Sequence, residues 1–178
     1  MNKLVIAAAL SAAAIASTPA FAQTSAPGVS GYGNLGYSHL DPNGVDLNSL
    51  GGRLGARFGN YFGLEGEGYF GVGSHDTTVG GLPASSKLAH SFAAYAVGYY
   101  PVSPNFDLLA RIGYGANRFN TTVGGASTSL DRDSINYGAG GQYFFTPKDG
   151  LRAEYTRADY RNNGGHANIW GVSYVRKF

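Results

Sequence analysis

Histidine stands beside serine at Ser38-His39 and at His90-Ser91, and from such residues a hydrolase could be built. That chemistry needs a Ser nucleophile within hydrogen-bond reach of a His base, itself oriented by an acid. Adjacent side chains of an extended strand point to opposite faces, so neither pair can work as nucleophile and base if its segment is a strand. His75 and His166 stand in polar segments that read as loops, and no pair of the four histidines has metal-ligand spacing. Cysteine is absent. These residues point to no catalytic group, no metal, no cofactor, and a protein that is not an enzyme.

A different chemistry lies in eight charges set at period two among oily residues: Arg53, Arg57, Arg111 and Arg152 against Glu65, Glu67, Asp107 and Glu154. Leu54, Ala56 and Phe58 alternate with Arg53, Gly55 and Arg57; after a link at Gly59 to Tyr61, Phe62, Leu64, Phe70 and Val72 alternate with Gly63, Glu65, Glu67 and Tyr69. Leu108, Ala110, Ile112 and Tyr114 likewise alternate with Asp107, Leu109, Arg111 and Gly113. The pattern recurs with Ile135, Tyr137, Ala139 and Tyr143 against Asn136, Gly138, Gly140 and Gln142, and with Leu151, Ala153 and Tyr155 against Arg152 and Glu154. Period two with one oily face is a strand with two environments. If the first turn centres on Tyr61, Arg57 lies opposite Glu65. In residues 88–100 either parity could be the oily one, because Phe92 and Tyr100 compete with Tyr95 and Tyr99.

The elements that must position these charges are all strands. Glycine (28), Tyr (13) and Phe (10) are abundant in the 178 residues, a balance suited to turns and pleated surfaces. Lys3, the apolar run Leu4 to Ile15 and Ala20-Phe21-Ala22 read as a signal peptide cleaved after residue 22, leaving 23–178 as one domain. Thirteen Lys and Arg less Lys3 leave 12 against 11 Asp and Glu, a net charge of +1 with no basic field for nucleic acid. No long apolar stretch follows, yet a spanning β-strand needs only about 9 to 11 residues with alternate ones apolar. Sharp turns at Gly59 to Tyr61, Pro101 to Asn105 and Thr146 to Gly150 alternate with polar segments at 41–51, 74–87, 119–133 and 158–166, read as loops. Thr77-Thr78-Val79-Gly80-Gly81 recurs as Thr121-Thr122-Val123-Gly124-Gly125, and its β-branched triplets would extend the strands beyond a membrane. The closing segment puts Trp170, Val172, Tyr174 and Phe178 on one parity. With Tyr32, Tyr99 and Tyr100, three of these (Trp170, Tyr174 and Phe178) are candidates for aromatic girdles.

The order Gly36-Tyr37-Ser38, Pro101 to Asn105, Arg111-Ile112-Gly113-Tyr114-Gly115, Tyr137-Gly138-Ala139-Gly140, Glu154-Tyr155 and Gly171-Val172-Ser173-Tyr174 before Phe178 resembles the OmpA/OmpX-type family of small outer-membrane barrels. The resemblance implies an eight-stranded antiparallel up-and-down transmembrane β-barrel in the bacterial outer membrane, monomeric and surrounded by lipid. It implies an internal ionic network, with Arg111 and Glu154 at charged interior positions of the type member. It also implies recognition of Trp170, Val172, Tyr174 and Phe178 by the barrel-assembly machinery; the family's usual aromatic two residues before the terminal Phe is here Arg176. Lipid A deacylase barrels carry His and Ser two apart, a spacing not found here. The functions implied are envelope structure and binding of surfaces or host molecules through four loops. A narrow passive channel is the alternative, and a soluble barrel of lipocalin type would require the opposite polarity, oil inside and charge outside.

Overall fold

The computed structural model describes residues 28–42, 47–73, 75–79, 82–123, 126–161 and 164–178. The expected signal peptide, residues 1–22, lies outside them. Nine strands follow: β1 Val29–Pro42, β2 Leu47–Phe58, β3 Phe62–Gly71, β4 His75–Val79, β5 Leu82–Ser103, β6 Phe106–Val123, β7 Ala126–Phe144, β8 Asp149–Tyr160 and β9 His166–Lys177. Every pairing is antiparallel, β3 pairs with β5, and β1 pairs with both β2 and β9, so eight strands close a barrel to which β4 adds a short strand along β5. Closure leaves no spanning strand with an open edge, the condition hydrocarbon imposes on a backbone with no water to bond.

The ladder fixes the barrel's size. Partners run from Tyr32 through Gly55, Glu65, Tyr95, Gly113, Asn136, Ala158 and Ala167 back to Pro42, a shear of ten residues (42 − 32). Eight strands at that shear tilt by about 40° and enclose only enough room for their own side chains. Two belts of exposed aromatics lie eight residues apart along β3 (Phe62, Phe70), β5 (Tyr100, Phe92) and toward the end of the chain (Phe178, Trp170). Eight residues at that tilt rise about 20 Å, close to the apolar band of about 25 Å expected of outer-membrane barrels.

Three local expectations change. The β2–β3 turn pairs Phe58 with Phe62 and so centres on Asn60, because Gly59 takes a left-handed φ of 62° and the two rings pack 6.1 Å apart. Arg57 therefore faces Gly63 rather than Glu65, and Arg53 faces Glu67. In β5 a bulge between Leu88 and His90 inserts one residue, so Leu88 and then Tyr95, Val97 and Tyr99 point inward while Phe92 and Tyr100 point out. One extra residue reverses the parity, which is why neither parity fits 88–100 from end to end. Finally, much of the segments read as loops is ladder: Ala84 to Leu88 pairs with Phe119 to Val123, which pairs with Ala126 to Leu130. Thr77 and Val79 belong to β4, and the Thr-Thr-Val triplets extend the sheet outward on one side.

Candidate functional site

The alternation that sends oil outward sends the charges into the lumen, where they occupy successive levels. Near the turns between β5 and β6 and between β7 and β8, Arg57 Nη1 donates to Asp107 Oδ2 at 2.7 Å and Gln142 Nε2 to the same oxygen at 2.8 Å. Lys177 reaches this level from β9, its Nζ 3.5 Å from the centre of the Phe144 ring. One level up, Glu65 Oε1 accepts from Arg152 Nη1 at 2.6 Å and from Tyr32 Oη at 2.6 Å, and Arg152 Nη2 also donates to Gln142 Oε1 at 2.9 Å. Above that, Glu67 Oε2 lies between Arg53 Nη2 at 2.8 Å and Arg111 Nη1 at 2.9 Å, while Tyr95 Oη donates to Oε1 at 2.9 Å. Glu154 pairs with Arg53 and lies 3.4 Å from Arg111 Nη1, whose Nη2 donates to Thr156 Oγ1 at 2.8 Å. All eight expected charges thus meet in one lumen, with Arg57 and Asp107 forming a pair beside the main cluster.

Burying charge costs several kcal/mol per ion unless each group is paired and its remaining donors satisfied. Arg53 and Arg152 have side chains at most 1% exposed, and each meets at least two acceptors. Tyrosines complete the shell: the Arg57, Arg111 and Arg152 guanidiniums lie 4.3, 4.1 and 5.6 Å from the Tyr99, Tyr95 and Tyr32 ring centres. Each of these rings needs space where another strand would place a Cβ. A methyl on Gly55 would come within 2.2 Å of the Tyr32 ring, and one on Gly113 within 2.6 Å of Tyr95. The Gly and Tyr recurrence is therefore cross-strand covering, aromatic over glycine. Tyr32 and Tyr99, expected in a girdle, are 5% exposed and belong to this interior. Parity along β1, where Asn34 and Ser38 face inward, would have placed Tyr32; Tyr99 lies on the strand whose parity the bulge breaks.

Toward the outer end, Ser91 donates to Asn117 at 2.7 Å and Asn117 to Ser134 at 3.2 Å. Beyond these the lumen turns apolar, with Leu40, Leu47, Leu88, Phe119 and Ile169 in one cluster and Ala158, Tyr160 and Ala167 packed beside it. A cavity of about 20 Å³ remains between this layer and the Arg53, Glu67, Arg111 and Glu154 cluster, room for about one water molecule. The His and Ser pairs fall on opposite sides of the wall: Ser91 bonds Asn117 inside while His90 packs on Phe92, 5.5 Å between ring centres, outside.

A family model described as the outer membrane protein beta-barrel domain matches residues 7–178. The chain belongs to that family. As a member of it, this barrel spans the bacterial outer membrane. Solved structures of outer-membrane proteins share its fold. Ail of Yersinia pestis, solved with the heparin analogue sucrose octasulfate, has a TM-score of 0.57 at 22% identity over 84% of this chain and 97% of that one. The N-terminal barrel domain of Pseudomonas aeruginosa OprF has 0.64 at 12% identity, over 84% and 97%. Neisserial surface protein A has 0.56 at 14% identity, over 85% and 97%. No curated protein sequence matches.

Family membership gives the outward residues their solvent. Trp170, Val172 and Tyr174 are 60%, 59% and 38% exposed and face lipid. Phe178 N donates to Gly31 O at 3.0 Å, and its ring lies 3.5 Å from where a Cβ on Gly33 would stand. Arg176 shares that outward parity at the lower belt, and its Nη1 donates to Asp149 Oδ1 at 3.0 Å. The first residue of β8 thus supplies a partner for a cation at the interface.

Proposed function

We propose that this barrel is a non-enzymatic, non-conducting envelope protein, in which a sealed cylinder anchors a projecting sheet that binds surfaces. The observation that carries the reading is the filled lumen: an ionic cluster closed above by an apolar layer, with about 20 Å³ left between them. An ion crossing it would have to part Arg53, Arg111 and Arg152 from their carboxylates and then cross a dry apolar layer. The eight lumen charges act structurally, replacing the solvation that each loses. Planar bilayers seeded with folded protein should show no discrete conductance at any voltage that leaves the membrane intact, and regular unitary steps would reject the reading.

The binding surface is the sheet formed by β4, the outer part of β5, and the outer parts of β6 and β7. Its outward parity carries Lys87, Arg118, Asn120, Thr122, Ser127, Ser129 and Asp131, a hydroxyl- and amide-rich face standing above the upper aromatic belt. Ail, a relative in fold, was solved with a sulfated sugar; here Arg118 is matched by Asp131, so a polar rather than strongly anionic surface is the expected partner. Replacing residues 119–130 with a two-residue turn should abolish attachment of expressing cells while heat-modifiable gel mobility persists. Attachment unchanged by that deletion would reject the surface role. Trp170, Val172, Tyr174 and Phe178 are read as the assembly signal, and the barrel as a monomer in lipid.

A further inference from the structure

Above the upper aromatic belt the outward parity of β5, β6 and β7 forms three rungs across the projecting sheet. His90, Arg118 and Asp131 are ladder partners in the lowest, Lys87, Asn120 and Ser129 in the next, and Ser85, Thr122 and Ser127 in the highest. Rungs two residues apart along a strand stand about 7 Å from each other, and neighbouring strands about 4.8 Å, so the side chains form a regular grid. Each rung closes a hydrogen bond on itself. Arg118 Nε and Nη2 donate to the two Asp131 oxygens at 2.6 and 2.7 Å, Ser129 Oγ donates to Asn120 Oδ1 at 3.0 Å, and the Thr122 and Ser127 hydroxyls lie 2.9 Å apart, one donating to the other. These bonds hold the side chains in place without exhausting them. The Ser129 bond uses one acceptor of Asn120 and neither of its amide N–H groups, and the Thr122 to Ser127 bond uses one of two hydroxyl protons.

Donors and acceptors therefore stand side by side in the upper two rungs, and a hydroxyl, which both donates and accepts, is the group that meets both. A phosphate or sulfate only accepts, and it would set its charge against the Asp131 carboxylate, whose side chain is 67% exposed. The three rungs carry Lys87 and Arg118 against that one acid, a net +1 that makes no strong field for an anionic polymer. An apolar partner would strip water from the hydroxyls and return nothing, because Phe119 and Leu130 take the opposite face. Building on the surface-binding role above, we propose that this face lies against an uncharged polysaccharide whose sugar hydroxyls bridge the upper two rungs. Neither of those rungs holds an aromatic ring, so a single sugar binds weakly, and a polymer met by many copies in one membrane binds well.

Phosphatidylcholine vesicles carrying many copies of the folded protein should be retained by cellulose beads, in molar salt as in dilute buffer, while protein-free vesicles pass. Thr122→Val combined with Ser127→Ala, and Asn120→Ala alone, should each raise the vesicle concentration for half retention at least about fivefold, the loss of one hydrogen bond per copy, with heat-modifiable mobility unchanged. Asn120→Asp, which keeps the shape and removes the amide donors, serves if an alanine variant does not fold, and the same increase is expected of it. Thr128→Val, on the opposite face, should change nothing. No retention, retention that molar salt abolishes, or retention that the Thr122, Ser127 and Asn120 substitutions all leave intact overturns the site. Stronger retention on heparin beads than on cellulose overturns the uncharged class. Attachment of expressing cells that disappears with residues 119–130 but survives Thr122→Val with Ser127→Ala overturns this partner and leaves the surface role standing.

Discussion

Within β6 and β7 the same strands, with the same parity, are built twice with opposite chemistry. Between the aromatic belts the outward residues are Leu108, Ile112, Tyr114, Tyr137 and Ile135, and the inward ones include Arg111, Asn117, Asn136 and Gln142. Beyond Ala116 the outward residues become Arg118, Asn120, Thr122, Ser127, Ser129 and Asp131, while Phe119 and Leu130 take the inward parity. Strand geometry is continuous across the change, with Arg118 opposite Asp131 and Thr122 opposite Ser127 in an unbroken ladder. What changes is the solvent each face meets. In the band, water is absent outside and every polar group must find a protein partner inside; in the projecting sheet, water supplies what the partners do not.

The largest effect expected from this contrast lies in the lumen. Arg152→Met removes the guanidinium that donates to Glu65 at 2.6 Å and to Gln142 at 2.9 Å, leaving a carboxylate with a fully buried side chain short of its main partner. The expected loss is about 3–5 kcal/mol, read from denaturant unfolding of the folded barrel in detergent. A change below about 1 kcal/mol would mean that water reaches Glu65, and the sealed lumen would fail with it.

On the lipid face, Leu54 lies midway between the belt levels of Leu50 and Phe58 and is 62% exposed. Leu54→Arg should cost about 2–4 kcal/mol, the depth-dependent penalty of a cation in hydrocarbon. Asn120→Arg, on the same outward parity but above the belt, should leave the midpoint where it was. Equal costs at the two positions would erase the boundary drawn between Ala116 and Arg118.

A smaller effect tests the fit of rings over glycines. Gly55→Ala places a methyl 2.2 Å from the Tyr32 ring, whose hydroxyl donates to Glu65. Overpacking of this kind costs about 1–3 kcal/mol, and Tyr32→Phe in the same background should recover only part of it, because the ring carbons clash as well as the hydroxyl.

Much of this was legible from period two alone. Leu54, Ala56 and Phe58 against Arg53 and Arg57 define both faces of β2 without further information, because a strand has only two sides and hydrocarbon tolerates one kind of residue. The illegible parts are those where the period breaks or the partner is remote. The bulge at Ala89 carries no signature that Ser91 or Phe92 reveals, so β5 could be read in either phase. The β2–β3 register depended on Gly59 taking a left-handed φ, a choice that Gly permits but does not announce. Nothing beside Lys177 in the sequence shows that its ammonium meets the Phe144 ring, which stands two strands away across β8.

The smallest effect is local to the projecting sheet. Arg118 donates to Asp131 through Nε at 2.6 Å and Nη2 at 2.7 Å, and those hydrogen bonds hold the carboxyl below its ordinary range. A depressed carboxylate favours the paired ladder above its unfolded value and loses that contribution as pH falls through the lowered one. The pair is exposed to water, so Arg118→Ala should not move the unfolding midpoint of the barrel. Hydrogen exchange should still register the change, because Ala126 to Arg132 has no strand on its β8 side among the described residues and opens without unfolding the rest. Amides of 119–130 should exchange faster than those of 107–117 in the intact protein, and faster again in Arg118→Ala at the same pH. If the two stretches exchange at one rate, the sheet and the barrel are a single cooperative unit, and the surface-binding segment could not be altered without altering its anchor.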